Sequence, residues 1–169
     1  MIRARVITCS DGVTHGARID KSGPAVREIL AGSGYEVDRI VVVPDDVNEI
    51  SLAIADAIDA EIRLVVTAGG TGISPRDVTP EATMRVCDRV VPGFGELMRA
   101  RSIEKTPMAS LSRAQAATRG SALILNLPGS VNGACENLRF VLHLIPHALE
   151  LLSGQPVDHS GAGSPKRVP

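Results

Sequence analysis

The chain has 169 residues, 44% of them hydrophobic, and a formal net charge of −1 at pH 7. This length suits one domain with a substantial core, and the hydrophobic content excludes a disordered chain. The near-neutral charge offers no bulk attraction to a polyanion, and Tyr35, Phe94 and Phe140 are the only aromatic residues on which bases could stack, so nucleic-acid binding is not expected.

Nothing in the sequence predicts a membrane helix or a secretion signal. No long apolar stretch precedes Cys9, and the apolar segment 141–152 is too short to span a membrane. The three cysteines, Cys9, Cys87 and Cys135, form no C-x-x-C pair and are typical of reduced thiols. We therefore expect a cytoplasmic protein without a membrane partner.

The first part of the chain alternates strands and helices. Aliphatic, β-branched runs predict strands over residues 3–9, 36–43 and 63–68. A helix that opens at Ser22 and ends near residues 32–34 separates the first two strands, and an amphipathic helix over 47–60 separates the next two. This β-α-β-α-β order predicts a parallel sheet with right-handed crossovers.

Each of these three strands ends in an acidic or glycine-rich turn. Ser10 and Asp11 follow the first strand, Asp45 follows the second, and the loop that begins at Gly69 follows the third. Because open α/β sheets bind ligands at the carboxyl ends of their strands, the three turns could converge on one site. An ordinary turn, or an Asp that caps a helix, is the alternative for each turn taken alone.

The third turn is the most informative stretch of the chain. Glycines within residues 69–72 follow a buried strand, and Thr79 and Pro80 suit the N-cap and the first residue of a helix. A strand, a glycine turn and a helix N-terminus together favour an anion such as phosphate. Asp77 would repel that phosphate unless a divalent cation lay between them, so we predict a metal ligand here. The loop is neither a P-loop nor G-x-G-x-x-G, and a merely tight turn is the alternative.

The second part of the chain completes an α/β domain. We predict helices over 79–90 and 92–102, a β-hairpin from 115–118 and 121–126, and a helical segment over 134–153 that breaks near Pro146. The predicted fold is a three-layer α-β-α arrangement with a mostly parallel central sheet plus the hairpin. Residues 1–153 form the single domain, and the Gly-, Pro- and Ser-rich residues 154–169 are predicted to form a flexible tail.

Several motifs resemble one family. Thr-Ala-Gly-Gly-Thr-Gly at 67–72, followed by Ser-Pro-Arg-Asp-Val-Thr-Pro-Glu-Ala at 74–82, is similar to the signature of the molybdenum cofactor biosynthesis domain. This family includes molybdopterin adenylyltransferases of the MogA type, MoaB proteins and the G domain of gephyrin. Residues 106–113 and Leu-Pro-Gly at 127–129 also match, and the similarity covers about residues 3–152. Val131 is a departure, because the family usually has Pro there.

The resemblance implies adenylyl transfer, in which the terminal phosphate of molybdopterin attacks the α-phosphorus of ATP and releases pyrophosphate. Asp45 and Asp77 match the two functional aspartates of the family and would place Mg²⁺. The resemblance also implies a homotrimer. The implied substrate-binding residues are Ser10, Asp11, Gly69, Gly70, Thr71, Gly72, Ser102, Asn126, Pro128, Gly129 and Ser130, of which the last three would line the pterin side.

A MoaB-type trimer that binds molybdopterin without adenylylating it is the alternative function. The presence of both aspartates favours catalysis. The chain also lacks G-x-S-x-G and zinc-ligand spacing, so its chemistry fits a reaction in which the substrate supplies the nucleophile and the protein neutralises charge.

Overall fold

The computed structural model describes residues 1–154, so the predicted tail lies outside the described residues apart from Gly154. The strands within this range are β1 (Ile2–Cys9), β2 (Tyr35–Val43), β3 (Leu64–Ala68), β4 (Arg89–Val91), β5 (Ala116–Arg119) and β6 (Ala122–Leu127). They form one sheet in the order β2-β1-β3-β6-β5-β4. β1, β2, β3 and β6 run parallel, and β5 is antiparallel to both β4 and β6.

Helices cover both faces of this sheet. They are α1 (Asp11–Thr14), α2 (Ser22–Gly32), α3 (Val47–Asp59), α4 (Thr79–Val86), α5 (Pro92–Ile103), α6 (Val131–Val141) and α7 (Ile145–Leu152), with short 3-10 turns at Pro107–Leu111 and Leu142–Leu144. In α3 the apolar residues Ile50, Ile54 and Ala57 recur at helical spacing and are fully buried. In the described range no helix has the length and apolarity to cross a bilayer.

The sheet separates two hydrophobic cores. Alternate residues of β3 point to opposite faces: Leu64 and Val66 pack with α2, α5 and α6, whereas Val65 packs with α3 and α4. All five residues of β3 are buried, as expected for a central strand covered on both sides. The predicted three-layer α/β fold with a mostly parallel sheet and a hairpin is therefore confirmed.

The predicted helix over 79–90 is wrong in its last four residues. α4 ends at Val86, and Arg89–Val91 forms an edge strand against β5. Two β-branched valines directly before Pro92 favour extended backbone, and the Asp88 N–H donates to Thr118 O at 2.7 Å. Tertiary pairing thus overrides the helical periodicity of this segment.

Two further boundaries differ from the prediction. The turn after β1 is the short helix α1, capped by the Ser10 hydroxyl, which accepts a hydrogen bond from the Val13 N–H. α6 begins at Val131, three residues earlier than predicted, because the Ser130 hydroxyl accepts from the Gly133 N–H and caps the helix.

Candidate functional site

Two adjoining clefts open at the carboxyl ends of the parallel strands. Cleft A has a volume of about 490 Å³, and its lining includes Ser10, Lys21 and Asp45. Cleft B has a volume of about 580 Å³, and its lining includes Thr71, Ser102 and Asn137. Both are lined by Gly70, Asp77, Gly129 and Ser130, which therefore form a shared wall. The turns after β1, β2, β3 and β6 thus converge, as the sequence predicted for the first three.

Asp11 and Asp45 hold each other by reciprocal hydrogen bonds. The Asp11 N–H donates to Asp45 Oδ2 at 2.9 Å, and the Asp45 N–H donates to Asp11 Oδ1 at 3.0 Å. Arg76 Nε donates to the second carboxylate oxygen of Asp11 at 2.9 Å. Asp11 therefore joins the ends of β1 and β2 to the glycine loop, and it lines neither cleft.

Asp45 is held in an electrostatically unfavourable environment. Burial raises the pKa of its carboxyl above the usual range, and the nearby charges of Asp11 and Asp77 raise it further, against the effect of the Asp11 N–H. The pKa of Asp11 is instead lowered by its hydrogen bond to Arg76. A cation between Asp45 and Asp77 would relieve their mutual repulsion.

Asp77 closes the outer half of the glycine loop. Its Oδ2 accepts from the Ser74 N–H at 2.8 Å, and its own N–H donates to Ser74 O at 2.9 Å. A Cβ added at Gly72 would lie 2.8 Å from Asp77 Oδ2, so glycine at 72 leaves room for this carboxylate. The carboxylate is thereby fixed at the shared wall.

One oxygen of each aspartate remains available to a metal. Neither Asp45 Oδ1 nor Asp77 Oδ1 accepts a hydrogen bond from any residue within 1–154. That range also contains no cluster of three or more His, Cys, Asp or Glu able to hold a metal. Two hard oxygen donors suit Mg²⁺, which in proteins is commonly bound by one or two carboxylates and completes its shell with phosphate oxygens and water.

The glycine loop, which lines the clefts, contains backbone N–H groups without an acceptor in residues 1–154. The backbone N–H groups of Gly70, Thr71 and Gly72 donate to no acceptor in the described part of the chain. By contrast, the carbonyl oxygens of these residues all accept hydrogen bonds, from the Thr79 N–H and from two donors of Arg113. Thr71 is buried, and buried N–H groups are rarely left without a partner, so this arrangement favours an anion in the loop.

Gly69 and α4 contribute less to this anion site than predicted. The Gly69 N–H donates to Leu127 O at 3.1 Å and so belongs to the sheet. At the start of α4 the Thr79 N–H donates to Gly70 O, and Pro80 has no N–H. The free donors therefore lie in the loop itself. A second source is α6, which begins beside Ser130 with first-turn N–H groups that lack intrahelical partners.

The other predicted binding residues separate into two groups. Ser10 lines cleft A, whereas Ser102 and Pro128 line cleft B together with the shared-wall residues Gly129 and Ser130. Asn126 is fully buried and lines neither cleft. Its amide donates to the hydroxyls of Thr67 and Thr83, both at 3.0 Å. It therefore joins the sheet to α4 beneath the site, while its own side-chain oxygen accepts no hydrogen bond from the described residues.

Sequence reasoning missed two arginines that organise the site and misassigned Thr79, which is the first residue of α4 and not its N-cap. Arg76 ties the loop to the Asp11 carboxylate, Arg113 binds the loop from outside, and the buried Thr79 hydroxyl donates to Gly69 O at 2.8 Å. Arg76 and Arg113 lie within the motifs quoted above, but a motif does not show which oxygen atom a guanidinium will contact. The Cys9 thiol lines cleft A, yet burial raises its pKa to about 12, so it is no nucleophile near neutral pH.

Comparison with known proteins identifies relatives over most of the chain. The sequence model of a family described as "probable molybdopterin binding domain" matches residues 5–147. A Helicobacter pylori protein named molybdopterin adenylyltransferase is 40% identical over 158 residues, which cover 90% of this chain and 89% of the relative. Gephyrin of Dictyostelium discoideum is also 40% identical, but this chain spans only 22% of its length.

A solved structure shares the fold. The molybdopterin biosynthesis enzyme MoaB of Thermus thermophilus superimposes with a TM-score of 0.86 at 48% identity. The alignment covers 94% of this chain and 100% of that one. The sequence comparisons and the structural comparison therefore identify the same family.

Proposed function

The chain belongs to the molybdopterin-binding domain family of molybdenum cofactor biosynthesis, and from this premise we propose that it is a molybdopterin adenylyltransferase. A relative of similar length that carries this name supports the proposal. The observation that carries it is the shared wall: two clefts, each large enough for a small phosphorylated molecule, meet at Asp77 and Gly70.

The reaction requires two phosphorylated molecules to meet head to head. An oxygen of the terminal molybdopterin phosphate forms a bond to the α-phosphorus of ATP, the bond from that phosphorus to the oxygen that bridges it to the β-phosphorus breaks, and pyrophosphate leaves with that oxygen. The substrate supplies the nucleophile, so the protein need only align the groups and offset their charge. Two clefts with a common wall provide this alignment.

The roles of the residues follow from their positions. The free N–H groups of Gly70, Thr71 and Gly72 bind phosphate oxygens, and the first turn of α6 adds its dipole from the other side. Asp45 and Asp77, each with one carboxylate oxygen that accepts no hydrogen bond within residues 1–154, would hold Mg²⁺. Mg²⁺, when bound, neutralises phosphate charge at the shared wall. The expected homotrimer and cytoplasmic location stay predictions.

Product analysis tests the proposal against the binding-only alternative. We expect the purified protein, given molybdopterin, ATP and Mg²⁺, to yield adenylyl-molybdopterin by mass spectrometry and one pyrophosphate per product, with neither formed when ATP is omitted. Stoichiometric molybdopterin binding without product would show the MoaB-type alternative. Failure to bind molybdopterin would contradict both functions.

Asp45→Asn should raise the Mg²⁺ concentration needed for half-maximal activity by at least about tenfold. Asn is nearly the same size and its oxygen can still accept from the Asp11 N–H, so the fold persists while a charged ligand is lost. The measurement is a Mg²⁺ titration of the initial rate.

The neighbouring substitution Asp46→Asn is the matched control. Asp46 caps α3 by accepting from the N–H groups of Asn48 and Glu49, and it lines neither cleft. Because Asn is an equally good N-cap, Asp46→Asn should leave the titration curve unchanged. Coincident curves for Asp45→Asn and wild type would refute the metal-binding role of Asp45.

A further inference from the structure

We propose that Arg113 is the positioning residue that fixes Asp77 and the phosphate-binding loop for adenylyl transfer. Its guanidinium spans the loop from one end to the other: Nε donates to Gly72 O at 2.7 Å, and Nη2 donates to Asp77 O at 2.5 Å. Its backbone N–H adds a third bond, to Thr71 O at 2.7 Å. Arg113 therefore bonds to three carbonyl groups of the segment 71–77.

Glu81 fixes the orientation of the guanidinium. Its Oε1 forms an ion pair with Nη1 of Arg113, on the side away from the two loop carbonyls. Glu81 lies in the first turn of α4, so the ion pair ties the loop to that helix as well. Although burial would raise the pKa of Glu81, the hydrogen bond from Arg113 lowers it overall, which keeps this pair ionised.

Arg113 acts on the site without entering it. It lines neither cleft A nor cleft B, whereas Asp77 lines both. By binding the carbonyl groups on the outer side of the loop, it leaves the N–H groups of residues 70–72 free for an anion. Its charge is balanced by Glu81, so its contribution is to geometry.

Apart from Arg113, the ion pair of Arg76 with Asp11 is the contact that ties the outer half of this loop to another part of residues 1–154. Within the described residues, Ser74 and Asp77 bind each other, and the Thr79 contacts reach only Gly69 and Gly70. Without the guanidinium the segment 72–77 would keep its internal turn and the exposed Arg76–Asp11 pair, but it would lose the two side-chain bonds to its carbonyl groups. The Asp77 carboxylate could then move relative to Asp45 and the shared wall.

The consequence for catalysis rests on the proposed function. Displacing a positioned group by about 1 Å commonly lowers a rate about 100-fold. We therefore expect Arg113→Gln to lower kcat about 100-fold and to raise the half-saturating Mg²⁺ concentration, with the Kd for molybdopterin nearly unchanged. The kcat of Arg113→Lys should lie between those of the wild type and Arg113→Gln, because an ammonium group can reach one carbonyl but lacks the planar guanidinium that spans two.

Arg63→Gln is the matched control. Arg63 likewise joins two carbonyl groups, Ser121 O at 2.7 Å and Leu149 O at 2.8 Å, but it lies before β3, at the end of the sheet remote from the clefts. Removing it should lower the melting temperature without changing kcat or the Mg²⁺ titration. If Arg113 had only a structural role, Arg113→Gln and Arg63→Gln would both lose activity in proportion to their loss of stability.

Amide hydrogen exchange supplies a readout that does not depend on activity. Exchange of the hydrogen-bonded amides of Ser74 and Asp77, followed in a peptide covering residues 70–78, should accelerate at least about tenfold in Arg113→Gln and stay at the wild-type rate in Arg63→Gln. Unchanged exchange in Arg113→Gln, or wild-type kcat and Mg²⁺ dependence, would overturn the proposal. An inactive wild-type protein would contradict the proposed function instead, and the exchange rates would then decide on Arg113 by themselves.

Discussion

Asp77→Asn should lower the rate of adenylyl transfer by about 100- to 1,000-fold while the affinity for molybdopterin stays close to that of the wild type. Asp77 lies on the wall common to both clefts, where the two phosphates would meet. The carboxylates of Asp77 and Asp45 are the two that could bring a cation to that point. The charge of Asp77 is therefore needed most in the transition state, where the phosphate charge is redistributed.

The amide preserves the structure of the loop. Asn matches Asp in size, and its oxygen can accept the hydrogen bond that Ser74 donates to Asp77 at 2.8 Å. The bond from Arg113 goes to the main-chain carbonyl and is unaffected by the substitution. The expected loss is therefore electrostatic and should appear in kcat with little change in the melting temperature.

Asp88→Asn is a suitable control for this substitution. Asp88 also accepts a hydrogen bond from a turn amide, the Gly120 N–H at 2.7 Å, but it is exposed and lines neither cleft. Single-turnover rates should separate the two variants, with Asp88→Asn at the wild-type value. Normal turnover by Asp77→Asn would contradict the role assigned to it.

The convergence of the turns was predictable because it follows from topology. Parallel strands with right-handed crossovers place their carboxyl ends at one edge, so the turns after β1, β2 and β3 had to lie near each other. The alternation of buried residues along β3 likewise follows from hydrophobic pattern. These features depend on local sequence and connectivity alone.

Side-chain partners across the site were not predictable in this way. Asp11 and Asp45 are 34 positions apart, and their reciprocal bonds depend on the register between β1 and β2. Asn126 matches the family pattern, yet its side chain points into the protein beneath α4. A sequence match identifies which residue occurs at a position, whereas its role depends on distances set by packing.

Strand β4 shows the same limit at the level of secondary structure. The segment from Arg89 to Val91 has few residues, and its local pattern fits either state. Pairing with β5 supplies hydrogen bonds that a continued helix could not provide to this sheet edge.

Gly69→Ala should destabilise the protein by about 3–5 kcal/mol, although it adds a single carbon. Gly69 has a φ of +114°, a backbone angle that residues with a side chain rarely adopt. An added Cβ would lie 2.2 Å from Cys9 O. That oxygen is main chain at the end of buried β1, so it cannot turn aside as a flexible side chain would. Gly129 also packs against Gly69, so closely that a Cβ added at Gly129 would lie 3.2 Å from the Gly69 Cα.

Thermal and urea unfolding of the full chain would measure this cost. For a chain of this length each kcal/mol lowers the melting temperature by about 2–4 °C, so a decrease on the order of 10 °C is expected. Gly32→Ala is the matched control, because Gly32 is exposed at the end of α2 and has no atom within 4 Å of an added Cβ. This substitution should leave the stability unchanged or raise it by at most about 1 kcal/mol. A Gly69→Ala melting temperature equal to that of Gly32→Ala would show that the β3 loop can move away from β1. The close contact between these two strand ends would then not be what holds the shared wall in place.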